Sequence, residues 1–373
     1  AGLMAAEILA QGGHAVTIYD RMPTPARKLL IAGRGGLNLT HSEPLEKFLT
    51  RYGAAQEWLT PCIISFTPTD LIKWCESLGQ ETFTGSSGRI FPRAMKASDL
   101  LRAWMKRLAE LNVKYLPKHE WQGWDGEYLK FSGNVKVKAD ATLLALGGAS
   151  WPRLGSDGGW VKILQDAGIE ISPLRPANSG FIANWSEYFS QRFAGVPLKS
   201  VAVTHCGITR HGDAMITATG MEGGVIYALS SGIRSDIEKH GKAIIELDLR
   251  PGMSAEALTK KLGQRGSKSL STWLQKAGFP AVITSLLREV NVQENIAEKL
   301  KSLPITLTAT TGIERAISSA GGILQSELDE NFMLKKLPNV FACGEMLNWE
   351  APTGGYLLQA CFSTAVAAAK GMI

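Results

Sequence analysis

The sequence predicts an α/β fold in which both ends of the chain form one frame around an inserted β segment and a helical segment. Residues 340–370 have the pattern strand, Gly-acid, loop, Gly-Gly, helix, and residues 2–20 have the pattern of a helix and then a strand. From about Pro173 the chain changes to short runs that alternate apolar and polar residues. Such alternation is typical of antiparallel strands, and the two terminal patterns are typical of a nucleotide-binding α/β domain.

The C-terminal pattern starts with a short apolar run at residues 340–343, which predicts a buried strand. Gly344 and Glu345 end the strand, and a Gly-Gly pair precedes a segment of small helix-forming residues that starts at Tyr356. Glycines at a helix start let backbone N–H groups approach a ligand, and the helix dipole favours electron-rich groups there. An ordinary αβ crossover with a glycine turn would show the same glycines, so both interpretations stay open at this point.

The N-terminal pattern fits the second half of a Rossmann βαβ unit. An apolar helical face at residues 5–10 ends at Gly-Gly, and the strand at residues 16–19 closes with Asp20. Gly2 fits the third glycine of G-x-G-x-x-G, and Asp20 follows 18 residues later, where the ribose-binding acid belongs. We expect the first strand and the first two glycines to precede the residues of this sequence. An αβ pair that binds no nucleotide is the alternative.

Basic residues and glycines coincide in residues 21–44, directly after Asp20. Cations neutralise a pyrophosphate and backbone N–H groups can cradle it, so this segment predicts a phosphate-binding loop rather than a solvated turn. The residues concerned are Arg21, Arg27, Lys28, Gly33, Arg34, Gly35, Gly36 and Asn38.

The elements that follow are short. Residues 45–80 are expected to be helical, with interruptions at Pro61 and Pro68. A hairpin is predicted over residues 83–93 and a helix over residues 98–108.

Short strands are expected over residues 113–138, and a buried strand over residues 139–146 leads into Gly147 and Gly148. A strand that runs into Gly-Gly lets the backbone pass close to a flat or charged ligand. A flexible loop at residues 155–159 and a helix after Trp160 follow.

The inserted part is predicted to be an antiparallel β segment, a small barrel or curled sheet, followed by basic helices. The basic helices lack interleaved aromatic residues, which favours a solvated face over an RNA-binding patch. Beyond them we expect a further strand and then a glycine pair at a turn. The β runs are at residues 180–183, 200–204, 214–217, 225–227 and 244–247, the helices at 254–303, the last strand at 305–307 and the glycine turn within 316–323.

These patterns divide the 373 residues into a Rossmann-like domain (1–174 and 305–373), a β-barrel-like domain (175–252) and a helical subdomain (253–304). No apolar run reaches the length of a membrane span, and the net charge of +6 permits an anionic ligand without arguing for a nucleic-acid partner. Five scattered cysteines without a CxxC pair indicate a reducing compartment, the cytoplasm, and we predict no metal site.

Taken in order, the motifs resemble the HI0933-like (BaiN/YhiN-like) flavoprotein family, which includes aminoacetone-oxidase-like enzymes. The resemblance covers nearly the whole chain and is most specific in the motifs GG-S-P-GSDG (147–158) and GE…GGY-L-QA (344–360). It implies an FAD-binding Rossmann-like domain with a β-barrel and a helical insertion. The motifs are KLLIAGRGGLNLTH (28–41), GRIFPRAMKASDLL (88–101), ALGGASWPRLGSDG (145–158), AISSAGGI (316–323) and CGEMLNWEAPTGGYLLQA (343–360).

By position, the resemblance assigns each segment a part of FAD. It implies that Gly2 lies at the pyrophosphate, Asp20 at the adenosine ribose and Glu345 near the ribityl-phosphate portion. Lys28 and the loop at residues 33–38 would face the flavin. The full set of expected cofactor residues is Gly2, Asp20, Arg21, Lys28, Gly33, Gly35, Gly36, Asn38, Gly147, Gly148, Gly344, Glu345, Gly354, Gly355 and Tyr356.

The chain departs from the family pattern at two places near the expected flavin. Gly36-Leu37-Asn38 stands where most members show Arg-Cys-Asn, and His41 stands where they show Asn. Because Leu37 carries no thiol, a mechanism that depends on a thiol there does not apply to this chain.

The first functional hypothesis is an FAD-dependent oxidoreductase acting on a small molecule, with either NAD(P)H or O2 as redox partner. The flavin would carry the redox chemistry and the protein would orient the substrate. His41, Tyr356, Glu350 and His211 are candidate catalytic groups. The alternatives are a flavin-bearing RNA-binding or regulatory protein and, less consistent with the C-terminal motif, an NAD-binding dehydrogenase. The sequence leaves the substrate and the oligomeric state open.

Overall fold

The computed structural model describes residues 1–33 and 35–373, so Arg34, predicted to join the phosphate-binding loop, lies outside the described residues. The chain divides into two compact units. Unit 1 comprises Ala1–Pro176 and Ile313–Ile373, and unit 2 comprises Ala177–Gly312. The finer three-way division expected from the sequence stays a prediction.

Unit 1 contains parallel strand pairs covered by helices. Strand β1 pairs in parallel with β5, with Asp20 opposite Pro117, and β9 pairs in parallel with β19, with Leu144 opposite Ala342. Its strands are β1 (Thr17–Asp20), β2 (Thr40–His41), β3 (Thr82–Thr84), β4 (Arg89–Pro92), β5 (Lys114–Pro117), β6 (Trp121–Asp125), β7 (Tyr128–Phe131), β8 (Val135–Val137), β9 (Thr142–Leu144), β10 (Ile171–Ala177), β18 (Ser318–Ile323) and β19 (Val340–Ala342).

The remaining strands of unit 1 form small sheets in the orders β2-β4-β3, β6-β7-β8 and β10-β18. The helices of unit 1 are α1 (Gly2–Gln11), α2 (Arg27–Ala32), α3 (Leu45–Leu49), α4 (Gln56–Ser65), α5 (Pro68–Ser77), α6 (Ala97–Glu110), α7 (Trp160–Asp166) and α15 (Tyr356–Gly371).

One hydrophobic core holds unit 1 together. Helices α1 and α15 contribute small buried side chains to it, among them Ala5, Ala360 and Ala365, which let the two helices approach closely. The start of α5 is set locally, because Thr67 and Asp70 form a reciprocal capping box and Pro68 occupies the first helical position.

Unit 2 is an antiparallel sheet packed against helices, and its strands follow the order β16-β15-β12-β13-β14-β11-β17. This order is linear, so the pairing seen among the described residues is that of a sheet with two edges. The strands are β11 (Phe181–Ile182), β12 (Pro197–His205), β13 (Ile208–Ile216), β14 (Gly220–Glu222), β15 (Ala243–Asp248), β16 (Leu303–Leu307) and β17 (Ala309–Thr310).

The predicted basic helices share one hydrophobic core with the strands of unit 2; Leu258, Leu274 and Leu286 are buried together with Val203 and Ile245. The helices of unit 2 are α8 (Glu187–Phe193), α9 (Gly224–Tyr227), α10 (Ser230–His240), α11 (Ala255–Leu262), α12 (Leu270–Lys276), α13 (Ala281–Glu289) and α14 (Ile296–Lys301). Within the described residues, no helix is at once long and apolar enough to cross a membrane.

Three local predictions were wrong. Pro61 does not interrupt a helix, because its ring is exposed while Leu59 and Ile63 keep α4 on the core. Residues 225–227 form a helix although Val, Ile and Tyr favour strands, since tertiary packing of Val225 and Ile226 overrides the propensity. The glycine pair of residues 316–323 lies inside β18 and not at a turn.

The reason for the third difference is close packing. A Cβ added to Gly321 would lie 2.1 Å from the carbonyl oxygen of Pro173, so the backbone of β18 approaches its neighbour where a side chain would not fit. Helix α10 was missed altogether, although Ile233 and Ile237 have helical spacing.

Candidate cofactor site

Lys28 and Glu345 form the centre of the candidate site. The Nζ atom of Lys28 donates to Glu345 Oε2 at 2.6 Å and to Ser150 Oγ at 2.6 Å. The other oxygen, Glu345 Oε1, accepts from the backbone N–H of Ser319 at 3.0 Å, and the Glu345 side chain is only 8% exposed. Residues from α2, from the loop after β9, from β18 and from the end of β19 therefore meet at one partly buried ion pair.

Gly148 lies directly beside this pair. A Cβ at Gly148 would lie 2.3 Å from Ser319 Oγ and 3.3 Å from Glu345 Cδ. Ser319 Oγ in turn accepts from the backbone N–H of Ala149 at 2.8 Å. The predicted Gly-Gly motif thus meets the predicted Gly-Glu motif, and glycine is required there because the two segments leave no room for a side chain.

Gly2 and Gly344 also come together with the end of strand β9. A Cβ at Gly2 would lie 3.3 Å from Ala145 Cβ, and one at Gly344 would lie 2.8 Å from Ala1 Cβ. The start of α1 therefore meets the carboxyl ends of β9 and β19. A helix N-terminus at the carboxyl edge of parallel strands is where α/β proteins hold phosphate groups.

Asp20 and Arg21 lie at the carboxyl end of β1. Asp20 Oδ1 accepts from the backbone N–H of Met22 at 2.8 Å, and Oδ2 accepts from the Tyr115 hydroxyl at 3.1 Å. Burial, reinforced by Asp20, raises the pKa of Tyr115. Arg21 is ion-paired with Asp157, which brings the predicted loop at residues 155–159 next to the end of β1.

The glycines of the predicted phosphate-binding loop differ in what surrounds them. A Cβ at Gly33 would lie 2.5 Å from Ala97 Cβ, and one at Gly36, whose φ is +110°, would lie 2.4 Å from Met95 Cε. Gly35 is exposed and has open space where its Cβ would be. Packing explains Gly33 and Gly36, whereas Gly35 has no packing role in the described residues.

The start of α15 packs on strand β2. Gly354 and Gly355 have φ values of +130° and +96°, and a Cβ at Gly355 would lie 2.5 Å from Thr40 Cα. The polar atoms Asn38 Oδ1 and Thr40 Oγ1 are buried here and have no hydrogen-bond partner among the described residues. Unpartnered buried polar atoms in a native site call for a ligand or water.

Tyr356 is part of a polar cluster at the start of α15. Its hydroxyl donates to Glu43 Oε1 at 2.6 Å, and Arg51 donates to both Glu43 oxygens at 2.9 and 2.7 Å. Burial and the nearby Glu43 raise the pKa of Tyr356. Burial opposes ionisation of Glu43, but the hydrogen bonds from Arg51 and Tyr356 outweigh it and lower the pKa of Glu43 to about 2.

His41 stacks on Tyr356 with ring centroids 5.5 Å apart. Its Nε2 lies 3.0 Å from the Ser87 carbonyl oxygen, and its Nδ1 accepts from the Glu43 backbone N–H at 3.1 Å. Since a carbonyl only accepts and an N–H only donates, these two contacts hold His41 in the neutral Nε2–H form. His41 is thus committed to structural contacts on both ring nitrogens.

The other two catalytic candidates lie elsewhere. Glu350 is half-buried in the loop between β19 and α15, and His211 is exposed on β13 in unit 2. The structure brings His41 and Tyr356 together with the predicted glycines of α15.

Sequence reasoning missed four participants: Ser150, Ser319, Glu43 and Arg51. Ser319 was within reach, because it lies in the AISSAGGI motif that was considered only for its glycines. Glu43 and Arg51 are eight residues apart with a helix between them, a spacing that carries no signal of contact.

The residues present fit FAD. The start of α1 lies at the carboxyl ends of β9 and β19, and buried polar atoms of Asn38, Thr40 and Ser156 lack protein partners among the described residues. A surface concavity of about 670 Å³ is lined by Gln165, residues 168–172 and Leu324, and contains none of the predicted residues.

Comparison with known proteins identifies the family. The model of the HI0933-like protein Rossmann domain matches residues 1–371, so the chain belongs to the HI0933-like family. The predicted family, the Rossmann-like FAD-binding fold class and the enzyme class of FAD-dependent oxidoreductase are thereby confirmed.

Two curated relatives span nearly the whole chain. The 3-dehydro-bile acid delta(4,6)-reductase of Clostridium scindens is 25% identical and covers 99% of this chain and 96% of its own length. The ribosomal RNA dihydrouridine synthase of Escherichia coli is 24% identical and covers 100% of this chain and 96% of its own length.

Two solved structures share the fold. The 3-ketosteroid-delta4-(5alpha)-dehydrogenase of Rhodococcus jostii matches with a TM-score of 0.51 at 12% identity, over 100% of this chain and 94% of that one. The 3-ketosteroid delta1-dehydrogenase of Sterolibacterium denitrificans matches with a TM-score of 0.52 at 10% identity, over 99% of this chain and 97% of that one.

Proposed function

We propose that this chain holds FAD in unit 1, at the carboxyl ends of β1, β9 and β19, and reduces a carbon–carbon double bond conjugated to a carbonyl in a small organic substrate. The observation that supports this site is the partly buried Lys28–Glu345 pair beside Gly148, at which four segments of unit 1 converge.

The charges and helix dipoles of the chain suggest which residues would contact each part of FAD. Gly2, at the start of α1, would receive the pyrophosphate, because helix N-terminal N–H groups favour anions. Lys28 would place its positive charge next to the flavin part of FAD, since its Nζ is held by hydrogen bonds to Glu345 and Ser150. The 16-residue helix α15 would direct its positive dipole end to the same region from Gly355. When bound, FAD would supply the two-electron hydride chemistry.

The reaction class comes from the two relatives. The name of the Clostridium scindens protein describes reduction of double bonds in a 3-dehydro (keto) compound, and the name of the Escherichia coli protein describes formation of dihydrouridine, which is uridine with two added hydrogens. Both describe addition of a hydride and a proton to a double bond conjugated to a carbonyl. In the proposed balance, NAD(P)H and one proton enter, and NAD(P)+ and the saturated carbonyl compound leave.

Tyr356 is the candidate proton donor of this site. Like an ordinary tyrosine, it is protonated near neutral pH, and its hydroxyl donates to Glu43 Oε1. His41 would have to give up a contact on one ring nitrogen before it could accept or donate a proton. Assignment of a catalytic role to Tyr356 is part of the proposal.

A second candidate function is reduction of a uracil base within RNA. The Escherichia coli relative favours it, as does a set of exposed basic residues in unit 2. Binding of RNA through such residues would weaken steeply with salt, because neutralised phosphates release counterions. The exposed basic residues are Lys260, Lys261, Arg265, Lys268 and Lys276.

The first experiment is a visible absorption spectrum of the purified full-length protein, followed by anaerobic addition of NADH or NADPH. A flavin band that bleaches, and that recovers when a conjugated enone is added, is the expected result. Recovery with ribosomal RNA but not with the enone would favour the second candidate. If the flavin band persists with both nucleotides, and turnover is seen only with O2 and another electron donor, the protein would be an oxidase. Absence of flavin after reconstitution with FAD would overturn the proposal.

A further inference from the structure

A cluster of His205, Cys206 and Asp236 lies in unit 2. The first two residues come from the end of hairpin β12–β13, and Asp236 comes from α10, which packs beside them. Cys206 and Gly207 form the two-residue turn between His205 and Ile208, with φ values of +47° and +75°. Positive φ at both positions is typical of a type I′ turn, in which the first residue is usually Asn, Asp or Gly. A cysteine is therefore an unusual choice for the turn itself.

The three ligand-type atoms are spaced like one face of a zinc tetrahedron. His205 Nε2 lies 3.2 Å from Asp236 Oδ2 and 3.6 Å from Cys206 Sγ, and Cys206 Sγ lies 3.4 Å from Asp236 Oδ2. With ordinary zinc bond lengths to N, O and S, the edges of a tetrahedral site are about 3.3–3.6 Å. The three observed separations agree with those edges within about 0.2 Å, the usual tolerance for a metal site.

The imidazole of His205 is oriented for such a role. Its Nδ1 lies 3.1 Å from the carbonyl oxygen of Ile244, which can only accept, so Nδ1 carries the proton and Nε2 presents its lone pair to the cluster. The residue is only 6% exposed. Histidine ligands of metals commonly donate their other N–H to a backbone carbonyl in this way.

The same arrangement argues against a nucleophilic triad. In a Cys-His-acid triad, the acid and the thiol contact opposite nitrogens of the ring. Here the carboxylate of Asp236 and the thiol of Cys206 both face Nε2. His205 Nε2, Cys206 Sγ and Asp236 Oδ2 thus converge as acceptor atoms, and only the thiol proton lies between them. A divalent cation could bind all three atoms at once.

We propose that His205 Nε2, Cys206 Sγ and Asp236 Oδ2 bind one divalent cation of the zinc class, with water as the fourth ligand. A thiolate and an imidazole select zinc or cobalt over magnesium and calcium, which prefer oxygen ligands. A neutral histidine, a thiolate and a carboxylate carry two negative charges, which the cation balances. The metal ties the β12–β13 turn to α10 and thereby stabilises unit 2. The sequence-based expectation that the chain has no metal site is revised by this proposal.

The test uses the full-length flavin-containing protein, stripped of metal with a chelator and titrated with ZnCl2 by calorimetry. CoCl2 is added in parallel and the spectrum of the metal-free protein is subtracted, which removes the flavin bands. The expected results are one Zn2+ per chain, a thiolate-to-cobalt charge-transfer band, and slower alkylation of Cys206 when Zn2+ is present. Cys206 is the exposed cysteine; the other four are buried.

Cys206→Asn is the decisive variant, because Asn-Gly is a favoured pair for a type I′ turn and the hairpin should fold without the thiol. Loss of even an outer contact of a metal ligand lowers affinity about 10–100-fold, so Cys206→Asn and Asp236→Asn should weaken Zn2+ binding at least tenfold. His211→Gln is the matched control, since His211 is exposed on the same hairpin and lies outside the cluster.

Equal Zn2+ affinity in the wild type and in folded Cys206→Asn, or no Zn2+ binding by the wild type, would overturn the proposal. The second outcome would leave ordinary hydrogen bonds among the three side chains as the explanation of their contacts.

Discussion

Lys28 Nζ lies 2.6 Å from Glu345 Oε2, so a partly buried ion pair joins two residues that are 317 positions apart in the chain. The side chains are 25% and 8% exposed. The pair therefore fixes a positive charge next to Gly148, where the cofactor is proposed to lie.

Replacing Lys28 by Met should expose the role of this pair. Removal of one partner leaves the carboxylate of Glu345 buried and unpaired, so unfolding of the variant should require on the order of 2–4 kcal/mol less than unfolding of the wild type. We also expect a lower flavin content after purification. Chemical denaturation and the flavin-to-protein absorbance ratio measure the two effects.

Lys162→Met is the control for this substitution, because Lys162 pairs with Asp166 at an exposed helix position. It should change stability by less than about 0.5 kcal/mol. A Lys28→Met protein with unchanged stability and full flavin content would contradict the assignment.

Glu7 is another buried charge of unit 1. It is 1% exposed and accepts from Trp74 Nε1 at 3.0 Å, from Trp104 Nε1 at 2.7 Å and from Arg107 Nη1 at 3.0 Å. Glu7→Ala removes the acceptor for these three donors and for Gln11 Nε2, which lies 3.3 Å from Glu7 Oε1. We expect a loss of about 3–5 kcal/mol in the free energy of unfolding.

Glu110→Ala, at an exposed position of α6 that pairs with Lys106, is the comparison for Glu7→Ala. Urea titrations of both proteins should show a large shift of the midpoint only for Glu7→Ala. Equal midpoints would mean that these donors find other acceptors.

The lowered pKa of Glu43 should make the folded protein less stable in acid. Its folded-state pKa of about 2 lies below the ordinary value of 4.5, so its contribution is present above about pH 4.5 and is lost as the pH falls towards 2. We expect the free energy of unfolding of the wild type to exceed that of Glu43→Gln by about 2–3 kcal/mol at neutral pH. This difference should shrink between pH 5 and pH 2. Denaturation of both proteins across this range measures it, and a difference that does not change with pH would refute the prediction.

Gly355 should not tolerate a side chain. Its φ of +96° is unfavourable for other residues, and a Cβ would lie 2.5 Å from Thr40 Cα, so Gly355→Ala should destabilise unit 1 by about 2–4 kcal/mol. Because the start of α15 would shift, we also expect lower flavin content. Thermal denaturation and the flavin absorbance band report on the two.

Gly35→Ala is the matched substitution, because nothing lies within 4 Å of a Cβ at Gly35. It should leave stability unchanged. If Gly35→Ala lowered flavin content at unchanged stability, Gly35 would be placed at the cofactor; a comparable effect of both variants on stability would contradict the packing argument for Gly355.

Much of unit 1 could be predicted from local pattern. The αβ order at both ends, the hairpin of β3 and β4, and helix α6 follow from apolar periodicity and from glycine and proline positions. The errors at Pro61, at residues 225–227 and in β18 arose where buried neighbours override local preference, which a single sequence does not display.

The sequence by itself determined the family and the segments that carry the candidate site, because glycines at strand and helix ends leave a local signature. Only the tertiary structure decided that Lys28 pairs with Glu345, that Glu7 accepts hydrogen bonds from two tryptophans and that Cys206 contacts Asp236. These contacts join residues far apart in the chain, and each depends on how whole elements pack. Packing sets which side chains share a buried space, and burial then selects the partners that can satisfy their charges and hydrogen bonds.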